Sequence, residues 1–259
     1  MGLLIQNIPL LHLVLPPYTL LLNNMKKIVF FVVCFLMVIS ASSQKRRNVD
    51  NLPTFDDPKI HYGFYLGINQ NDFKVNYRPS NFPNTVIEVK PTSGFNVGLI
   101  TDLRIHKNVN LRFEPGLMSN SKTIYFNNSS SLLTERDSVR EIGSTYLHLP
   151  LILKFSTDRW NNVRPYVLAG VSYDHNFSSN QENSDDNYSG EFRMKTKNFM
   201  YEVGFGIDIY LSFFKFSPSI RGLFAMNREL IDDNNNDSPW TSPVNSFSTR
   251  GIFISFAFE

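Results

Sequence analysis

The stretch from Gly143 to Ser156, GSTYLHLPLILKFS, decides the fold. Leu147, Leu149, Leu151, Leu153 and Phe155 share one side of a two-residue period, and Tyr146, His148, Pro150, Ile152 and Lys154 share the other. Successive side chains of a strand point to opposite faces, so strict alternation over this length predicts a β-strand. One face is pure hydrocarbon and the other is mixed and ends in a charge. A soluble sandwich would bury the apolar face against a second sheet. A transmembrane barrel would turn it to lipid and the mixed face to its lumen.

The 259 residues are enough for one sizeable domain. The 23 Phe and 11 Tyr favour strands and membrane interfaces. A net charge of +2 argues against a nucleic-acid binder, which needs a clustered basic face. Met25-Lys26-Lys27, an apolar run from Ile28 to Ile39 and then Ser40-Ala41-Ser42-Ser43 read as a secretory signal peptide over 25–43, cleaved before Gln44. The run is short for a spanning helix of about 20 residues. Residues 1–24 have no role in this scheme, and Met25 reads as the natural start. Cys34 leaves with the signal, so the mature chain carries no cysteine for a disulfide, a thiolate nucleophile or a metal.

A polar lead over 44–58 precedes the predicted barrel domain, 59–259. Its predicted strands are Ile60–Asn69, Gly94–Ile105, Val109–Met118, the stretch ending at Ser156, Val163–Asp174, Asn198–Leu211, Phe214–Met226 and Phe247–Phe258. The connections alternate long and short. That rhythm predicts an all-β fold, an eight-stranded antiparallel up-and-down outer-membrane β-barrel with tight periplasmic turns and long external loops. A soluble sandwich has no reason to sort its connections this way.

The predicted inward face carries Asp102, Arg104, Arg112, Glu114, Lys154, Arg164, Glu202, Asp208, Lys215 and Arg221. A midplane Arg or Lys facing lipid costs about 2–4 kcal/mol, which sends these groups inside. An eight-strand barrel is just wide enough for its side chains to fill. Both signs together predict a paired structural ionic network and no sizeable pore; the alternative is an ion or proton path through the same groups. Tyr62, Trp160, Tyr173, Tyr210 and Trp240, near predicted strand ends, suit interfacial girdles.

No chemistry-bearing motif stands out. Asp174-His175 has no nucleophile signature beside it. His148 reads as a hydrogen-bonded interior residue. The run Asp232 to Asp237 is oxygen-rich but lacks the glycine and later glutamate of a calcium loop, and reads as a solvated loop. No phosphate loop, zinc pattern or dinucleotide fingerprint occurs. The expectation is a protein that is not an enzyme, with no cofactor, no metal, no nucleic acid and no small-molecule substrate.

The lead NLPTFDDPKIHYGFYLG (Asn51 to Gly67), LRFEPGL (Leu111 to Leu117), YLHLPLILKFS (Tyr146 to Ser156) and RPYVLAG (Arg164 to Gly170) together resemble the PorT family of Bacteroidetes outer-membrane barrels. The resemblance covers Leu52 to Phe258. It implies a component of the type IX secretion system, which exports proteins with a C-terminal signal and, in gliding species, delivers motility adhesins. It carries no catalytic residues. A filled barrel cannot itself pass a folded protein, so the implied roles are scaffold, assembly factor or surface partner. The partners are then outer-membrane lipid and other secretion-system proteins, met through the lead and the loops. Two other readings remain: a barrel whose external loops bind a ligand or surface, and a small outer-membrane enzyme.

Overall fold

The computed structural model describes residues 50–78, 86–127, 138–182, 193–234, 238 and 240–259. The chain divides into two units, Met1–Asn48 and Val49–Glu259, and all described residues lie in the second. The predicted signal peptide, the 1–24 extension and the start of the lead lie outside them.

Ten strand segments follow in order: β1 (Ile60–Tyr77), β2 (Val86–Pro91), β3 (Ser93–His106), β4 (Val109–Phe113), β5 (Gly116–Asn127), β6 (Val139–Ser156), β7 (Val163–Asn176), β8 (Lys197–Tyr210), β9 (Lys215–Ala225) and β10 (Val244–Phe258). They form eight staves. β2 and β3 are one stave, and so are β4 and β5. β4 and β5 keep a single register on β6, from Phe113↔Leu151 to Gly116↔His148. The interruption falls where prolines remove donors: Glu114 N–H reaches the Pro150 carbonyl at 3.3 Å, and Pro150 has no N–H to return the bond. Between β2 and β3 the pairing on β5 slips by one residue, from Pro91↔Lys122 to Phe95↔Ser119, which marks a bulge.

All pairings are antiparallel, and β1 pairs both β3 and β10, so the sheet closes on itself. Closure removes the free edges that an open sheet would expose. Tight turns join β3 to β4, β6 to β7 and β8 to β9 at one end, hereafter the short-turn end.

The outer wall follows the predicted alternation. Phe64, Leu66, Ile68, Leu99, Leu151, Val167, Phe205 and Ile252 are exposed, while their strand neighbours are buried or half-buried inside. On β6 the apolar outer face runs from Leu147 to Phe155. At about 3.4 Å per residue that is roughly 27 Å of strand, and about 20 Å of membrane at a tilt near 40°. The strands continue past this band. There the pattern inverts: Phe73, Ile124, Phe126 and Ile142 are buried inside, while Asp72, Lys74, Thr123 and Glu141 face outward. The outer face has passed from lipid to water, and the enclosed face becomes the only place to bury hydrocarbon. This is why β1 and β5 run well beyond their predicted ends, through stretches that read as polar loop.

Two inward aromatics sit on glycines. A side chain at Gly116 would collide with the Tyr65 hydroxyl, and one at Gly206 with the Tyr166 ring. These glycines let rings lie flat against the wall of a narrow barrel.

Candidate functional site

The lumen is a stack of packed layers. At its centre Arg112, 1% exposed, is the hub. Its Nε lies 3.2 Å from Asp102 Oδ2 and 3.2 Å from Glu114 Oε1, and its Nη2 donates to Glu259 Oε1 at 2.9 Å. Lys215 Nζ donates to the other Glu259 oxygen at 3.0 Å. Beside the hub, Lys154 donates to both oxygens of Asp208 at 2.8 and 2.7 Å. Ser217 donates to Asp208 at 2.6 Å, and the Lys154 ammonium lies 4.1 Å from the Tyr166 ring centre.

One layer further from the short turns, Arg221 Nη1 lies 2.6 Å from Glu114 Oε2 and 3.8 Å from Glu202 Oε2. The His148 ring sits between two carboxylates, with Nδ1 2.7 Å from Asp174 and Nε2 3.1 Å from Glu202. A ring that faces a carboxylate with each nitrogen presents positive charge to both only as the imidazolium. In that form it offsets a surplus of acid: Asp102, Glu114, Asp174, Glu202, Asp208 and Glu259 stand against Arg112, Lys154, Lys215 and Arg221. Buried charges persist only when paired in this way.

Above the ions lies an apolar disc of Met118, Tyr146, Met200, Leu223 and Phe253. At the long-loop end a second cluster closes the lumen. Phe73, Ile124, Phe126, Ile142 and Phe247 from the staves pack with Met194, Leu230 and Trp240 from the connections. A Met194↔Leu230 bridge ties the β7–β8 connection to the β9–β10 connection. Lys122 lies 3.8 Å from the Phe73 ring centre in this region. Burial pushes the Glu229 carboxyl up, opposed by Lys122 and by two hydrogen bonds from Thr249.

The short-turn end is closed by the lead. Asn51 N–H donates to Asn162 Oδ1 at 2.9 Å, and its amide donates to the Tyr210 carbonyl at 2.9 Å. Arg159 donates to the Asn51 carbonyl and, at 3.3 Å, to that of Leu52. Phe55 stacks on His61 with ring centres 4.6 Å apart and meets Tyr210 edge-on at 5.9 Å. Tyr210 donates to both Asp56 oxygens, at 3.0 and 3.1 Å, and Arg164 Nη1 lies 3.6 Å from Asp56.

Of the ten residues read as the lumen network, Asp102, Arg112, Glu114, Lys154, Glu202, Asp208, Lys215 and Arg221 come together in the central layers. Arg104 and Arg164 stand apart, at the mouth. Arg104 is half-buried and bonds the carbonyls of Asp56 and Asp57; Arg164 reaches Asp56 and the carbonyls of Thr157 and Lys107. Glu259, Asp174 and Asp56 belong to the site and were not among the ten. Asp174 and His175 are not a pair: as strand neighbours they face opposite sides, Asp174 inward and His175 outward toward Phe177.

Two of the girdle aromatics are corrected as well. Tyr210 shares the inward parity of Asp208 and is 1% exposed; Trp240, 2% exposed, is folded into the cap. Tyr62 and Trp160 are exposed at the short-turn end. In the Asp232–Asp237 run, Asn235, Asn236 and Asp237 lie outside the described residues. Among the described residues no group of three or more His, Cys, Asp or Glu could hold a metal ion.

A closed antiparallel barrel with an apolar outer band and an ion-packed interior defines an integral outer-membrane protein. The chain belongs to the outer membrane protein β-barrel domain family, which matches residues 42–230. Similar solved structures include OprG from Pseudomonas aeruginosa, 15% identical, covering 77% of this chain and 93% of that chain with a TM-score of 0.42. Neisserial surface protein A is 12% identical, covering 78% and 97%, with a TM-score of 0.42. AlkL, solved in lipid bilayers, is 15% identical, covering 81% and 95%, with a TM-score of 0.39. No curated protein is similar enough in sequence to match.

Proposed function

We propose that this small outer-membrane barrel is a non-conducting component of the type IX protein secretion system, a scaffold or assembly factor for export of proteins with a C-terminal signal and, in gliding species, of motility adhesins. The observation that carries the reading is the docking of the lead. The segment from Asn51 onward, which contributes most to the PorT resemblance, is also the one that fills the short-turn mouth. With the lumen packed by the Arg112 and Lys154 pairs, the body offers surfaces rather than a passage. The signal peptide read at 25–43 would bring the chain to the membrane. Lipid would cover the outer wall, and other secretion-system proteins would meet the periplasmic turns and the external loops. Chemistry has no part in this role: it needs no enzyme activity and no cofactor.

A strain lacking this chain is expected to lose proteins with C-terminal sorting signals from its medium and to accumulate them in the periplasm, read by quantitative proteomics of both fractions. An unchanged secretome removes the secretion role, and the external loops then become the place to seek a ligand.

A further inference from the structure

The lead is held in the mouth as a bound peptide is held. Side chains of the barrel and its turns take its backbone carbonyls one after another. Arg159 takes those of Asn51 and Leu52, His61 that of Phe55 at 2.5 Å, and Arg104 those of Asp56 and Asp57. Two side chains of the lead supply the identity. Phe55 enters a slot made by His61, Tyr210 and the Lys215 ammonium, which lies 4.8 Å from its ring centre. Asp56 meets Tyr210 and Arg164. Reading the backbone for affinity and one or two side chains for specificity is the logic of peptide-recognition sites.

The lead also bends to fit. Phe55 N–H bonds the Leu52 carbonyl and Asp57 N–H bonds that of Thr54, two overlapping turns with Pro53 at a favoured position. Leu52 has φ 48°, a left-handed conformation that residues other than glycine rarely adopt. The Arg159 grip on its carbonyl holds it there. Two open clefts, of about 460 and 480 Å³, flank the docked segment and share Asp56 and Arg159, so the site is larger than its occupant.

We infer that the periplasmic mouth is a peptide-binding site, occupied in cis by the chain's own lead, whose partner in trans is a polypeptide segment with an aromatic residue followed by an acidic one. The inference rests on these contacts and stands apart from the secretion role, so the two can fail separately. Covalent attachment gives the lead an effective concentration on the order of millimolar, which a partner must overcome. A partner therefore binds by displacing the lead from Asn51 to Asp57.

The test uses the full chain in detergent micelles and a fluorescent peptide with the sequence of Asn51 to Lys59, followed by anisotropy. In the double variant Phe55→Ala, Asp56→Ala the cis lead loses both anchors while the barrel wall is untouched. The peptide is expected to bind this variant at least tenfold more tightly than the unaltered chain. Adding Arg159→Ala to the variant, or replacing the aromatic and acidic residues of the peptide by alanine, is expected to reverse most of that gain. Far-ultraviolet circular dichroism and heat-modifiable migration check that each variant is a folded barrel. Equal affinity for the unaltered chain and the double variant, or equal binding of a scrambled peptide, overturns the inference.

Discussion

Replacing Arg112 by alanine is expected to destabilise the barrel by about 3–5 kcal/mol, the largest loss of any single substitution in the lumen. The substitution strips the shared cation from Asp102, Glu114 and Glu259, three carboxylates that are each 1% exposed or less. Breaking a buried ion pair by removing one partner costs about this much because it leaves charge uncompensated away from water. Lys215 and Arg221 still reach Glu259 and Glu114, but among the described residues Asp102 keeps only the Asn110 amide, at 2.5 Å. Urea unfolding in lipid vesicles, followed by tryptophan fluorescence, measures the loss. A cost under about 1 kcal/mol, the range of exposed pairs, would mean that water reaches these groups through an open lumen.

The second large effect lies on the other side of the wall. Leu151 is at the centre of the outward run from Leu147 to Phe155 and is 47% exposed, toward lipid. Leu151→Arg is expected to cost about 2–4 kcal/mol, the penalty for a midplane cation on a lipid face. Gly143 lies on the same face of the same strand, above the band, where an added side chain meets nothing. Gly143→Arg is expected to cost about 0–1 kcal/mol. Equal penalties at the two positions would contradict the assigned band.

The band was legible in the sequence because lipid imposes one rule on every stave: an apolar residue at each second position. Above the band that rule lapses. Phe73 and Val75 alternate with Asp72, Lys74 and Asn76 in the opposite phase, and Ile124 and Phe126 do the same. The alternation persists there, but its phase is opposite to that of the band, so the stretch resembles a polar loop. Lumen residues were legible by parity alone, since a charge opposite Leu153 or Val203 must face inward. Their pairing was not. Arg112 meets Glu259 from 147 residues away, a contact set by closure of the barrel and invisible to local periodicity. Parity would also have placed Asp174 with Arg164 and Tyr166, had it not been read with His175. The cap residues Met194, Leu230 and Trp240 lie in connections with no period, where only packing reveals them.

The packed layers predict a barrel sealed along its length: by the lead at one mouth, by paired ions in the middle and by the apolar cluster at the other end. Conductance of the full chain reconstituted into planar lipid bilayers reports on this seal. The predicted result is a baseline without unitary steps, at either polarity and in concentrated salt. Reproducible ohmic steps scaling with protein insertion would show a continuous aqueous path, and would contradict both the packed lumen and the scaffold role built on it.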